Sequence, residues 1–195
     1  MPYSISELYS DYYPGGSYAN SLTGDYAEAD WAWHNNISNG NGPHLWRTLT
    51  INEWNYIINS RLTSTVNGTT NARYAKATIA SVPGVILFPD TYVHPDDVAQ
   101  PNGINNGSNG YDINDYDLND WELIEACGAV FLPVTYFRYG WGVDSRVNAH
   151  YWSTTPRDQS TIRILYFSPT FLGAGEGNYI DRFDGVAVRP VQANN

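Results

Sequence analysis

Apolar positions follow two rhythms along this chain. Two segments carry the helical spacing of a half-buried helix, and both open on a capping signal. In the first, Thr50-Ile51-Asn52-Glu53 has the form of a capping box: the Thr side chain can accept from a backbone N–H while Glu53 reaches back. Leu49 and Trp54 stand at the flanking apolar positions, and Trp54, Ile57, Ile58 and Arg61 follow at helical spacing, which predicts a helix over about 51–61. In the second, Asn119-Asp120-Trp121-Glu122 sits between Leu118 and Leu123, and Gly128 supplies a helix end that tolerates a left-handed backbone. Elsewhere the rhythm is that of short strands. Tyr74–Ile79 and Gly84–Pro89 predict a hairpin turning at Ser81-Val82-Pro83-Gly84, and Ala129–Pro133 reads as a buried strand. Tyr151–Thr155, Thr161–Phe167 and Gly185–Val191 follow, with aromatic and β-branched residues alternating.

This order is helix, hairpin, long connection, helix and then several short strands. It predicts an α+β domain over residues 1–195, with two helices packed on small antiparallel sheets. Val186 to Val191 are expected to join the central sheet, and Trp46, Trp54, Trp121 and Trp152 to be mostly buried scaffold. Residues 1–30, rich in Tyr, Ser and Gly, could be an arm, a first strand or part of a cut domain. Asn35–Pro43 reads as a loop. The run 90–120 is rich in Pro, Asn, Gly and Asp and has no period, and it is long for a mere connection.

Aromatics make up 15% of the 195 residues, which argues against bulk disorder. Charged residues are also only 15%, so Asn, Ser, Thr, Gly and Tyr must cover much of the surface. The net charge of −10 disfavours nucleic acid and anionic membranes as partners. No apolar run is long enough to insert in a membrane, and Met1-Pro2-Tyr3-Ser4 does not begin a signal peptide. A single cysteine, Cys127, precludes an internal disulfide; at the end of a helix it reads as a small buried thiol.

Catalytic constellations are weakly marked. His34, His44, His94 and His150 lack metal-ligand spacing and read as surface or loop residues. Asp112-Ile113-Asn114-Asp115-Tyr116-Asp117 resembles a calcium loop only superficially, because Tyr116 and Asp117 stand where an oxygen ligand and Gly are required. An irregular calcium site drawn from Asp112, Asn114, Asp115 and Asp117 competes with plain Asx-turns and a helix cap. The chain marks no cofactor.

The segment 137–191 is different. Tyr139, Trp141, Asp144, Arg146, Asn148, His150, Arg157, Asp158, Gln159, Arg163 and Tyr166 follow no helical period and lie between strand fragments. Rigid aromatic anchors beside adaptable polar side chains are the chemistry of recognition surfaces, although Tyr and Trp also fill cores. As candidate ligand-binding residues they are expected to be largely exposed and contiguous.

Five blocks carry a resemblance. Leu45-Trp46-Arg47-Thr48-Leu49-Thr50-Ile51-Asn52-Glu53-Trp54, Gly84–Asp90, Trp121–Pro133, Tyr151-Trp152-Ser153-Thr154-Thr155-Pro156 and Gly185–Val191 are similar, in this order, to blocks of a bacterial and phage group with a C-type lectin-like fold. Many members of that group are variable proteins of diversity-generating retroelements. The resemblance implies a non-catalytic protein on a cell or virion surface. In that group, error-prone copying at adenines diversifies a C-terminal segment displayed on a ligand-binding face. Here that segment would be 137–191, and the ligand a protein or other surface structure. Glu-Pro-Asn and Trp-Asn-Asp, the tripeptides of calcium-dependent sugar binding, are not present. Formylglycine-generating enzymes share the broad fold but need a cysteine pair. An enzyme or carbohydrate-acting domain on that fold is the alternative reading, and a self-associating adhesin a third.

Overall fold

In the computed structural model, residues 8–34 and 44–192 are described, so the predicted loop 35–43 lies outside them. Three short 3-10 turns (Tyr9–Tyr12, Pro14–Gly16, Gly24–Ala29) lead to α1 (Trp31–His34), β1 (Trp46–Thr48) and α2 (Ile51–Asn55), which continues as one π-helical turn (Tyr56–Ser60). The hairpin β2 (Tyr74–Ile79) and β3 (Val82–Leu87) comes next, followed by β4 (Asp115–Tyr116), α3 (Leu118–Ala126) and β5 (Val130–Pro133). The chain then runs through β6 (Phe137–Tyr139), β7 (Gly142–Asp144), β8 (Ala149–Pro156) and β9 (Thr161–Ser168). It ends with β10 (Phe171–Gly173), β11 (Tyr179–Asp181) and β12 (Pro190–Gln192). The class is α+β, as the order of patterns predicts.

Two sheets organise the body. One has the order β4-β2-β3-β5; in the other, β9 pairs with β8, β10 and β11. Alternation along β2 and β3 splits the first sheet between two cores. Tyr74 and Val85 face a core shared with Leu132, Trp54 and Ile58 of the α2 region, and Tyr151, Leu165 and Phe167 of β8 and β9. Ala75, Ala77, Ile79 and Ile86 face the other side, against Ile124 of α3 and Phe88, Tyr92 and Val98 of the following segment. The first sheet is therefore buried on both faces.

Lys76 lies on the same face of β2 as Tyr74, and none of its surface is exposed. Its ammonium donates to the carbonyls of Gly107 (2.6 Å), Ser168 (2.7 Å) and Pro169 (3.2 Å). Three N–H groups thus meet three acceptors, one on the 90–110 segment, one on the last residue of β9 and one just after it. Burial lowers the amine to about 8.

The first capping box forms as predicted. The Thr50 hydroxyl accepts from the Glu53 amide (3.2 Å), and the Thr50 amide donates to Glu53 Oε2 (2.8 Å). Arg47 forks onto the same carboxylate, so strand β1 and helix α2 share one anion. Asp30, wholly buried, accepts from the Thr48 amide and hydroxyl and from the Ala32 amide, which fixes the early segment to β1. That early segment also packs on the end of the β8–β9 sheet. The Leu22 amide donates to the Thr154 carbonyl, the Tyr13 hydroxyl to the Gln159 carbonyl and the Arg182 guanidinium to the Tyr18 carbonyl.

Several expectations are corrected. The hairpin turns at Ala80-Ser81, both with positive φ (47° and 69°), and Pro83-Gly84 lies within β3. A two-residue turn of this handedness matches the strand twist. Gly84 serves packing instead, since a Cβ there would sit 2.4 Å from the Leu132 carbonyl oxygen of β5. Helix α3 starts two residues earlier than predicted: Asp117 and Asp120 form the reciprocal cap, and Leu118 and Leu123 are exposed rather than forming a staple.

The chain's end pairs not with the central sheet but with β1, in the register Thr48↔Pro190 to Trp46↔Gln192, and Ala187 bridges to Tyr151. Pro190 has no N–H to donate, which suits an edge pairing. Cys127 is exposed, because only one side of α3 packs inward. Of the four tryptophans, Trp54 alone is wholly enclosed; Trp46, Trp121 and Trp152 are partly buried.

The 90–120 run is more than a connection. Asn114, buried, donates to the carbonyls of Lys76 and Asn102 and accepts from the Asn102 amide, so its side chain acts as a backbone splice. Asp117 is spent on the helix cap. His94 is buried between the Tyr92 hydroxyl and the Ala99 carbonyl, contrary to its surface assignment.

Replacing Lys76 by Met leaves three carbonyls without their donor. Since each unsatisfied buried acceptor costs about 1–3 kcal/mol, Lys76→Met should lower unfolding stability by roughly 3 kcal/mol or more. Urea denaturation checks this, and an unchanged midpoint would show that the amine is not a structural tie.

Candidate functional site

Strands β8 and β9 pair in the register His150↔Tyr166, Tyr151↔Leu165 and Trp152↔Ile164, followed by a bulge before Pro156↔Ile162. Alternation sends Ala149, Tyr151, Leu165 and Phe167 into the main core. The opposite face carries His150, Trp152, Ile164 and Tyr166, backed by Phe137, Ile180 and Val186. Rings continue across this face. The His150 centroid is 4.5 Å from Phe137 and 5.0 Å from Tyr166, Phe137 lies 5.8 Å from Tyr139, and Tyr166 lies 5.8 Å from Phe171.

A cleft of about 260 Å³ opens over this face, lined by Arg146, Asn148, His150, Ile164, Tyr166, Gly177, Asn178 and Tyr179. Four predicted residues therefore meet in one place. Four more lie at or near its edges. Asp144 accepts from the Arg146 amide and guanidinium at 2.6–3.0 Å, holding Arg146 over the cleft while leaving that side chain 73% exposed. The same bonds hold the Asp144 carboxyl below the usual range. Arg157 stacks on the Tyr179 ring at 3.4 Å. The hairpin β6–β7 carries half-exposed Tyr139, and Trp141, at its turn, is 92% exposed. Reciprocal bonds between Arg138 and Gly185 attach this hairpin to the chain's end.

Other predicted residues are placed differently. His150 is only 9% exposed, because the rings of Phe137 and Tyr166 close over it; it lines the cleft as a wall and does not project from it. Burial lowers it to about 4, so it is neutral near pH 7, and its Nδ1 is buried without a hydrogen-bond partner. Arg163 lies on the other side of β9, in a separate cleft with Asn52, Asn55, Thr155 and Glu176, so the expected single patch is divided. Asp158 shapes the β8–β9 connection, accepting from the amides of Ser160 (2.9 Å) and Thr161 (2.8 Å), and Gln159 is exposed beside it.

The reading of 137–191 omitted Asn178 and Tyr179 from the candidates. They follow Gly173-Ala174-Gly175-Glu176-Gly177, whose glycines look like a plain loop, yet they are the same Asn and Tyr types as the chosen positions. The cleft's chemistry is that of hydrogen bonding and ring contact. One Arg is already neutralised by Asp144, and no cluster of three or more His, Cys, Asp or Glu that could hold a metal occurs among the described residues. Compared with known proteins, the chain matches no family model, no curated protein and no solved structure.

The buried His150 makes stability pH-dependent in a defined sense. Its folded pKa lies below the ordinary value of 6.5, so the unfolded chain takes up the proton first as pH falls. The associated stability is complete above about pH 6.5 and is lost as pH falls through about 4, amounting to about 3 kcal/mol at most. His150→Phe should remove that part of the acid loss while keeping the ring contacts. Denaturation midpoints at pH 7 and pH 4 measure it, and an equal acid loss in both proteins would contradict the assignment.

Proposed function

We propose that this chain is a non-catalytic ligand-binding protein of C-type lectin-like fold that displays a diversified recognition surface, as variable proteins of diversity-generating retroelements do. The supporting observation is the two-sided β8–β9 sheet. Its inner residues are core, a second apolar cluster backs its outer face, and above that cluster the β7–β8 connection and the β6–β7 hairpin present Arg146, Asn148, Tyr139 and Trp141 beside Tyr166. Side chains on such a face can change without disturbing what lies beneath.

The similar sequence blocks also touch one another. Trp54 Nε1 donates to the Trp152 carbonyl (3.2 Å), the Thr154 amide to the Leu49 carbonyl (3.0 Å) and the Ile51 amide to Thr155 Oγ1 (3.1 Å). The pieces that carry the resemblance thus read as framework. Charge fits the same division of labour. Segment 137–191 holds six of the chain's ten basic residues but five of its twenty acids, so a nearly neutral segment belongs to an acidic chain. The ligand is a protein or other structure met at a cell or virion surface. No described helix is long and apolar enough to cross a membrane.

Two results test this reading. Replacing Tyr139, Trp141, Arg146 and Gln159 together by Ser should change stability by less than about 2 kcal/mol, since exposed positions usually contribute within ±0.5 kcal/mol each. A loss of several kcal/mol would make these side chains structural. The flanking DNA should hold a near-copy of the codons for 137–191, differing mainly at adenines, beside a reverse-transcriptase gene. A genomic neighbourhood with neither would remove the diversification claim.

A further inference from the structure

A third cleft, of about 300 Å³, lies between the α2 region, the end of β3, Gly128 and the chain's last strand. That size is at the low end for small-molecule pockets. Its walls are mainly apolar: Trp54, Ile57, Val130 and Val191 contribute, with Pro89 and Pro190 at the ends. Two cations, Arg61 and Arg189, line it as well, and no Asp or Glu does, although acids outnumber bases two to one in the chain. Arg189 is exposed, and no carboxylate of the described residues lies within ion-pair distance of it. Arg61 donates to the Phe88 carbonyl, and its buried Nε faces the Asp90 carboxylate at 3.4 Å, an ion pair without hydrogen-bond geometry.

We propose that this cleft binds a small amphipathic carboxylate, with its apolar part against Trp54, Ile57 and Val191 and its anionic head at Arg189 and Arg61. The apolar walls reward removal of alkyl or aryl surface from water. Arg189, which no described carboxylate pairs, selects the sign of the head group, and Arg61 adds a second guanidinium at the wall. A neutral amphiphile of the same shape keeps the apolar gain but forfeits that of charge, and an inorganic anion forfeits the apolar gain.

Isothermal titration of the whole chain with octanoate and with 1-octanol reads this directly. Saturable one-to-one binding of octanoate is expected, at least about tenfold tighter than octanol, which is about 1.4 kcal/mol. Arg189→Gln, an exposed change that should leave the melting temperature intact, should weaken octanoate by about five- to tenfold and octanol little. Ile57→Trp, which fills the cleft, should abolish both, and circular dichroism establishes that it is folded. If it does not fold, the Arg189→Gln comparison decides alone. Absence of saturable octanoate binding, equal affinity for the two ligands, or unchanged octanoate affinity in Arg189→Gln would overturn the proposal. The serine variants of the recognition face should bind octanoate as the parent does.

Discussion

Burying an ammonium group inside a protein is costly unless every N–H finds an acceptor, and the position of Lys76 meets that demand with three carbonyls. The geometry constrains more than one residue. Those carbonyls belong to the 90–110 segment, to the last residue of β9 and to the turn that follows it, while Lys76 stands in the middle of β2. The sheet that carries the recognition residues is therefore tied to the sheet that carries the framework at a fixed distance, across a core containing Tyr74, Val85, Leu165 and Phe167. Apolar packing alone would hold the two sheets together without specifying their register. A polar tie that fails unless all its partners arrive specifies it.

The same logic recurs at smaller scale. Asp30 and Asn114 gather several donors or acceptors from distant parts of the chain, and Glu53 gathers Arg47 and Thr50 at close range. Few charges are spent on the interior, and each is a junction. On the recognition side, the polar groups behave differently. Asp144 holds Arg146 at the surface, Arg157 rests on Tyr179, and Trp141 projects almost freely. Polar groups in the body fix the backbone, whereas those on the face present side chains.

What was legible in the sequence follows from this contrast. Local chemistry could be read: the Thr50–Glu53 cap, the left-handed Gly128 and the alternation of β8 and β9 all depend on neighbours in sequence. The hairpin turn was misread because Pro83-Gly84 has turn chemistry, whereas Gly84 is required by the approach of β5, from almost fifty residues away. Lys76 drew no notice, since a lone lysine in a strand shows nothing of three carbonyls that arrive from elsewhere. The candidate face was legible as a segment but not as a surface. Alternation puts Tyr166 and Arg163 on opposite sides of β9, and the burial of His150 depends on Phe137 and Tyr166 closing over it.

The central claim is that β8 and β9 belong to the rigid framework while the β6–β7 hairpin is borne upon it. Native-state hydrogen exchange, followed amide by amide, tests it most directly. The account predicts that amides of β8 and β9 exchange only with global unfolding, at the same free energy as those of β2 and β3, while β6–β7 amides exchange through smaller local openings. Local opening of β8 and β9 well below the global free energy of unfolding, with β2 and β3 still protected, would contradict it.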